Sequence, residues 1–252
     1  MSTHFKIIIP VYNAESYIQN ALISVMNQDY DNFDVWACDN ESIDGTYEYL
    51  LELQKEHPRL KVFQLHNIYP NGYGEAQEHV IKNLESDYVT FVASDDYIER
   101  DYISKCMAVI AKDPEKIKCI QSGIRGVTHD GREYDSTGMN QPPHSYKNIS
   151  EFKEQCLTKS PVYTPTVIWH KSLLPYMRVH EAHEASEISC IGAGDYDTYC
   201  YLADKGIFIY PIPVRMGYNY RWHEDQATWI VQSDDTNYDE IIQNYWRMKW
   251  EM

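Results

Sequence analysis

Residues 5–13 read FKIIIPVYN, Phe5 to Asn13. A run this apolar, rich in β-branched side chains and closed by a turn-forming Asn, predicts a strand buried on both faces. Immediately after it, Ala14–Gln28 spaces Ile18, Ala21, Leu22 and Val25 at helical intervals. The alternation then repeats. Phe33–Cys38 predicts a second strand, and a helix follows from Asp44, its expected N-cap, ending before Pro58. Leu60–Leu65 predicts a third strand, Gly74–Leu84 a third helix and Tyr88–Ala93 a fourth strand. Strands and helices alternating over short connections predict an α/β fold, a mostly parallel sheet flanked by helices. Ligands of such sheets sit beyond the carboxyl ends of the strands.

Beyond Ala93 the pattern loosens. The expected elements are a helix over Glu99–Ala111, a strand over Lys118–Val127, a hairpin in THDGREYDSTG and a loop at Gln141–His144. A helix at Phe152–Leu157 and a strand at Val162–Trp169, interrupted by Pro165, come next. Ala182–Gly194 reads as a mixed, Gly-bearing loop. Asp195–Lys205 is helical, Ile207–Ile212 a short strand, and Asn237–Met252 an amphipathic helix. The expected division is a domain at 1–228, with halves at 1–97 and 98–228, and a helical extension at 229–252.

The chain has 252 residues, enough for a sizeable core without disulfide staples. Its formal net charge of −16 excludes the basic face that nucleic-acid binding requires, and argues against docking on an anionic membrane. No stretch approaches the ~18 apolar residues of a membrane span. Six scattered cysteines without a CxxC pair read as reduced core residues, and the expected location is the cytoplasm. The 22 tyrosines are mostly half-buried packing, with sugar or base contacts as their functional use.

Four clusters fall just past the strand ends: PVYN (Pro10, Val11, Tyr12, Asn13), CDNESIDGT (Cys38–Thr46), NGYGEA (Asn71–Ala76) and SDDY (Ser94–Tyr97). Singly, each has a dull explanation as a turn, a cap or a chance pair of acids. On successive parallel strands they converge on one rim. Together they resemble the family-2 glycosyltransferases, whose GT-A fold joins a nucleotide-binding half to an acceptor-binding half. The resemblance covers residues 5–225 and is most specific over the first hundred.

That resemblance implies a nucleotide-diphosphate sugar donor, with UDP the expected nucleotide, a carbohydrate or glycan acceptor, and a divalent cation, Mn²⁺ or Mg²⁺. It implies that Asp39 hydrogen-bonds the base in a slot formed with Pro10 and Tyr12, while Asp95 faces the ribose and diphosphate. Asp96 and His223, the latter in YRWHEDQAT, become the metal ligands. The chemistry suits those residue types, because a leaving diphosphate develops charge that a hard cation on oxygen and imidazole ligands stabilises.

The inverting relatives carry a general base in an E-D pair at a helix start, which here reads Gly194-Asp195 in AGDYDTYCYL. Asp195 is thus the expected base, with a helix N-cap as its plain reading and Asp197 as the substitute if the register slips. The chain departs from the family pattern at Ala93, where many relatives have an Asp, and at Asn40-Glu41 and Gln77-Glu78. Those departures keep open a nucleotide-sugar-binding protein with a decayed site. A sugar-nucleotide pyrophosphorylase needs a Gly-rich, Arg-bearing loop after the first strand, which PVYNAESY lacks.

Overall fold

A computed structural model describes residues 3–66, 72–133, 145–188, 192–224, 226 and 235–252. The expected loop at Gln141–His144, the far half of the expected hairpin, Asn71 and Cys190 lie outside them. The first half follows its hydrophobic pattern closely: β1 (Phe5–Val11), α1 (Ile18–Met26), β2 (Phe33–Asp39), α2 (Thr46–Glu56), β3 (Leu60–Gln64), α3 (Gly72–Asn83) and β4 (Tyr88–Phe91). The second half comprises β5 (Tyr97–Ile98), α4 (Tyr102–Ile110), β6 (Cys119–Thr128), α5 (Ile149–Cys156), β7 (Ile168–His170), α6 (Glu181–Ala185), α7 (Gly194–Asp204), β8 (Tyr210–Trp222) and α8 (Tyr238–Trp250). Two 3₁₀ turns, Thr164–Thr166 and Lys171–Tyr176, flank β7.

These strands form one sheet in the order β3-β2-β1-β4-β7-β6-β8-β5. β1 pairs in parallel with β2 and β4, and β2 with β3. β7 enters antiparallel between β4 and β6, so the sheet is parallel in its first half and mixed in its second. This is the GT-A architecture.

Alternation along β1 explains why both faces are covered. Phe5, Ile7, Ile9 and Val11 join one core with Ile18, Leu22 and Val25 of α1, Leu50 of α2 and Ile103 of α4. Ile8 points to the other core, with Ala76 and Val80 of α3, Phe152 of α5, Tyr199 of α7 and Trp246 of α8. The period of two in a strand divides the residues between the layers.

Three expectations need adjustment. Val162–Trp169 is a 3₁₀ turn followed by a three-residue strand, because Pro165 cannot donate to a ladder. The strand expected at Ile207–Ile212 instead runs from Tyr210 to Trp222, past two prolines and Gly217. Asp44 lies one position before the helix cap, Gly45. Its carboxylate still accepts the Thr46 backbone N–H at 3.0 Å and that of Glu15 at 3.2 Å, tying two loops together.

Candidate active site

The loops after β1 and β2 are zipped to one another. The Asn13 N–H donates to Ser42 Oγ (3.0 Å), the Ile43 N–H to Asn13 Oδ1 (2.9 Å), and the Ala14 N–H to Thr46 Oγ1 (3.0 Å). From Asn40, the backbone N–H and the side-chain amide both donate to the Val11 carbonyl. Asn13 and Glu41 adopt the left-handed backbone, at φ 47° and 57°. Asn tolerates that region, whereas Glu carries a strain of roughly 1 kcal/mol there. The glycine that the family pattern places at position 41 would relieve it.

Pro10 and Tyr12 are half-buried, Val11 is buried and Asn13 is exposed at this rim. Asp39 ends β2 fully buried. One carboxylate oxygen accepts the Ser42 N–H (3.1 Å), and the other, Oδ1, has no partner among the described residues. A buried acceptor left unpaired costs free energy, so Oδ1 has an acceptor's capacity to spare.

The two members of the acidic pair after β4 sit in different environments. Asp96, expected beside His223 as a metal ligand, is 1% exposed. Its oxygens accept the Arg221 backbone N–H and the Tyr218 hydroxyl, each at 2.8 Å. Burial, with Asp95 beside it, holds the Asp96 carboxyl well above the usual carboxylate range. His223 turns instead to Asp95, with Nε2 2.9 Å from Asp95 Oδ2. Its ring packs on Tyr17 at 4.5 Å between centroids.

Arg221 braces this pair. Its Nε donates to the Asp95 carbonyl (2.6 Å), Nη1 to the His129 carbonyl and Nη2 to Asn20 (3.2 Å), and the guanidinium lies over the Tyr17 and Tyr97 rings. Ala93, where relatives carry an acid, contributes its N–H to the Tyr218 hydroxyl. At the start of α3, Arg178 reaches in from before α6 and donates to the Gly74 carbonyl (3.0 Å) and to Glu78 (2.6 Å). A cation therefore stands beside α3 at Glu78, one of the positions where the chain departs from the family pattern.

Asp195 lies in the first turn of α7, exposed, and accepts the Thr164 hydroxyl through Oδ2. The antiparallel register of β4 and β7 sets Tyr88 opposite His170 and Thr90 opposite Ile168. Thr164 lies in the 3₁₀ turn that packs against β4 just before β7. The Thr164 bond thus ties Asp195 to the turn beside β4. Asp197, the substitute base, is fully buried and takes three donors: the His183 backbone N–H, the His183 ring and the Trp246 indole. It is not presented to an acceptor. Thr164, Tyr218, Arg178 and His183 escaped the sequence reading, because each acts through a contact distant in the chain.

A divalent cation fits the Asp95–His223 pair. Octahedral donors at ~2.1 Å from an ion and at right angles lie ~3 Å apart, close to the separation found here. Two protein donors of this type leave the remaining positions for diphosphate oxygens and water.

The arrangement is that of an α/β protein of the GT-A type. Residues 6–167 match the family described as glycosyl transferase family 2, and the chain belongs to that family. It is 28% identical over 203 residues to a chondroitin synthase of Escherichia coli, covering 81% of this chain and 27% of that one. It is 30% identical over 174 residues to the poly(ribitol-phosphate) beta-N-acetylglucosaminyltransferase TarS of Staphylococcus aureus, covering 68% of this chain and 28% of that one. The chain thus spans about a quarter of the length of these relatives. Among solved structures, TarS 1–349 in complex with UDP-GlcNAc superposes with TM-score 0.64 at 21% identity, over 92% of this chain and 62% of that one. The mannosyltransferase PcManGT of Pyrobaculum calidifontis, in complex with GDP-Man and Mn²⁺, does so at 0.59 and 13%, over 98% and 70%. Among the described residues, no helix is long and apolar enough to cross a membrane.

Proposed function

We propose that the chain transfers a sugar from a UDP-sugar to a hydroxyl of a glycan acceptor, with inversion at the anomeric carbon. The observation that carries this reading is the meeting of Asp95 and His223 past the carboxyl end of β4, on the rim that also presents Asp39. The TarS structure with UDP-GlcNAc supports the choice of nucleotide, and the PcManGT complex with Mn²⁺ supports the choice of metal.

In this reading Asp39 Oδ1 accepts an N–H of the base, with Pro10, Val11, Tyr12 and Asn13 shaping its slot. Asp95 and His223 hold the cation, and Asp96 keeps Asp95 in place by anchoring β8 behind it. The cation, when bound, supplies positive charge against the diphosphate. Asp195 takes the proton of the acceptor hydroxyl as that oxygen attacks the anomeric carbon from the face opposite the diphosphate. The bond from carbon to phosphate oxygen breaks, and its electron pair leaves with UDP. Cys156 and Cys200 are neighbouring buried thiols that remain unbridged, which suits a reducing, cytoplasmic setting.

The test is transfer from UDP-sugars to oligosaccharides with Mn²⁺, reading the product's anomeric configuration by NMR. Asp195→Asn should bind UDP as the parent does and transfer at least ~100-fold more slowly. A retained configuration, or undiminished transfer in Asp195→Asn, would refute the mechanism.

A further inference from the structure

Just before Asp195 the chain makes a turn whose three carbonyls are all held. The Gly192 carbonyl faces His183 Nε2 at 2.7 Å, the Ala193 carbonyl accepts the Asp197 N–H at 3.2 Å, and the Gly194 carbonyl faces His180 Nδ1 at 2.9 Å. Ala193, at the centre, sits in the left-handed region at φ 55°, a conformation that persists only where neighbours enforce it. Gly192 has no room for a side chain, since a Cβ there would lie 2.4 Å from the Tyr238 ring.

Both ring nitrogens of His183 face acceptors. Nδ1 is 2.8 Å from Asp197 Oδ2, and Nε2 meets the Gly192 carbonyl. A carbonyl can only accept. Asp197 also takes the His183 backbone N–H and the Trp246 indole N–H, the pattern of an ionised carboxylate. Each His183 nitrogen must therefore carry a proton. His183, His180 and Asp197 have the composition of a metal site, yet the lone pairs an ion would need are already engaged by protons.

We propose that His183 is a positioning residue: as a buried imidazolium, paired with His180, it locks the 192–194 turn and so aims the Asp195 carboxylate at the acceptor. This inference rests on Asp195 being the base.

The groups around the ring agree. Asp195 and Asp197 of α7 favour its charge. His180 of its own segment, T-shaped to it at 5.8 Å, is kept neutral by burial, with the charge of His183 acting in the same direction. Tyr238 of α8 stacks on it, with Asp239 beside that residue. Glu181, farther along α6, is occupied by Tyr245 and Lys249 of α8, Glu184 is exposed, and Arg178 bears on His180. Burial alone would lower the His183 pKa, but the bonds to Asp197 and Gly192 outweigh it and raise it. The clamp is therefore complete below the ordinary histidine range and is lost as pH rises through the raised value.

The test combines ¹⁵N NMR of histidine-labelled full-length protein with the pH dependence of kcat. His183 is expected to be doubly protonated at pH 7, and kcat to show an alkaline limb at the pH where its ring titrates. His183→Gln can donate to only one of the two acceptors. It should lower kcat by roughly 10–100-fold, leave UDP affinity within about twofold, and abolish that limb. Added Zn²⁺ should not perturb the ring signals. A neutral His183 at pH 7, a Zn²⁺-shifted ring, or an unchanged limb in folded His183→Gln would overturn the proposal. Should the variant not fold, the parent's ring titration decides alone, against its kcat limb. Failure of the base assignment shows separately, as full transfer by Asp195→Asn with the His183 titration intact.

Discussion

Asp39 carries opposite demands of binding and stability on a single side chain. Its Oδ2 holds the loop through Ser42, while Oδ1 is buried and unpaired among the described residues. In Asp39→Asn the amide oxygen retains the Ser42 bond, and the NH₂ group replaces the orphan acceptor with a donor. A nucleobase N–H would then meet another donor. UDP binding measured by calorimetry should weaken by about 1–3 kcal/mol, with discrimination among bases reduced. The thermal midpoint without nucleotide should stay the same or rise, since a buried unpaired carboxylate is removed. Equal affinity for UDP in parent and variant would show that Asp39 serves only its own loop. Glu41, nearby in left-handed backbone, stores strain at the same rim, and the loop contacts hold it there.

At the scale of elements, α8 does more than cover the second core. Its Trp246 indole donates to the buried Asp197 at 2.8 Å, and Lys249 and Tyr245 both reach Glu181 of α6. Trp246→Phe keeps most of the apolar area and deletes one donor to a buried carboxylate. We expect a loss of roughly 1–3 kcal/mol, seen as a midpoint lowered by about 2–12 °C. An unchanged midpoint would make the indole bond irrelevant to folding. The elements differ in how far a reader of the chain sees them. β1 to β4 were visible because each is an apolar run ended by polar rim residues, and α1 because Ile18, Leu22 and Val25 share one face. β8 was mostly hidden, since Pro211, Pro213, Arg215 and Gly217 break its pattern. It pairs with β6 through register shifts at Gln121–Ile124 that no local rule announces. The same hidden pairing sets the environment of Asp96. Two adjacent aspartates look alike on paper, and only β8 packed behind them decides that one is buried and the other faces His223.

For the whole molecule, charge sets how a donor is received. A net charge of −16 repels a nucleotide diphosphate at long range, so attraction must arise within the site. Two arginines near the rim are already engaged, Arg221 with backbone carbonyls and Asn20, Arg178 with Glu78. In the proposed reading, further local positive charge comes from a cation on Asp95 and His223, together with the backbone N–H groups of the rim loops. Nucleotide and metal should therefore bind with strong mutual support. At 100 times its dissociation constant, UDP in the presence of Mn²⁺ adds about 2.7 kcal/mol, a rise of roughly 5–11 °C in the thermal midpoint for a chain of this size. Chelator should remove most of that rise. Raising the salt concentration should weaken UDP binding little, because it screens the overall repulsion as well as the local attraction. Asp95→Asn should abolish the Mn²⁺-dependent part of the rise. Asp96→Asn should begin from a lower midpoint, since it disturbs the Tyr218 and Arg221 bonds, yet keep the Mn²⁺-dependent increment. If the increment instead vanishes in Asp96→Asn and survives in Asp95→Asn, the metal sits on Asp96, and the pairing of Asp95 with His223 is scaffolding alone.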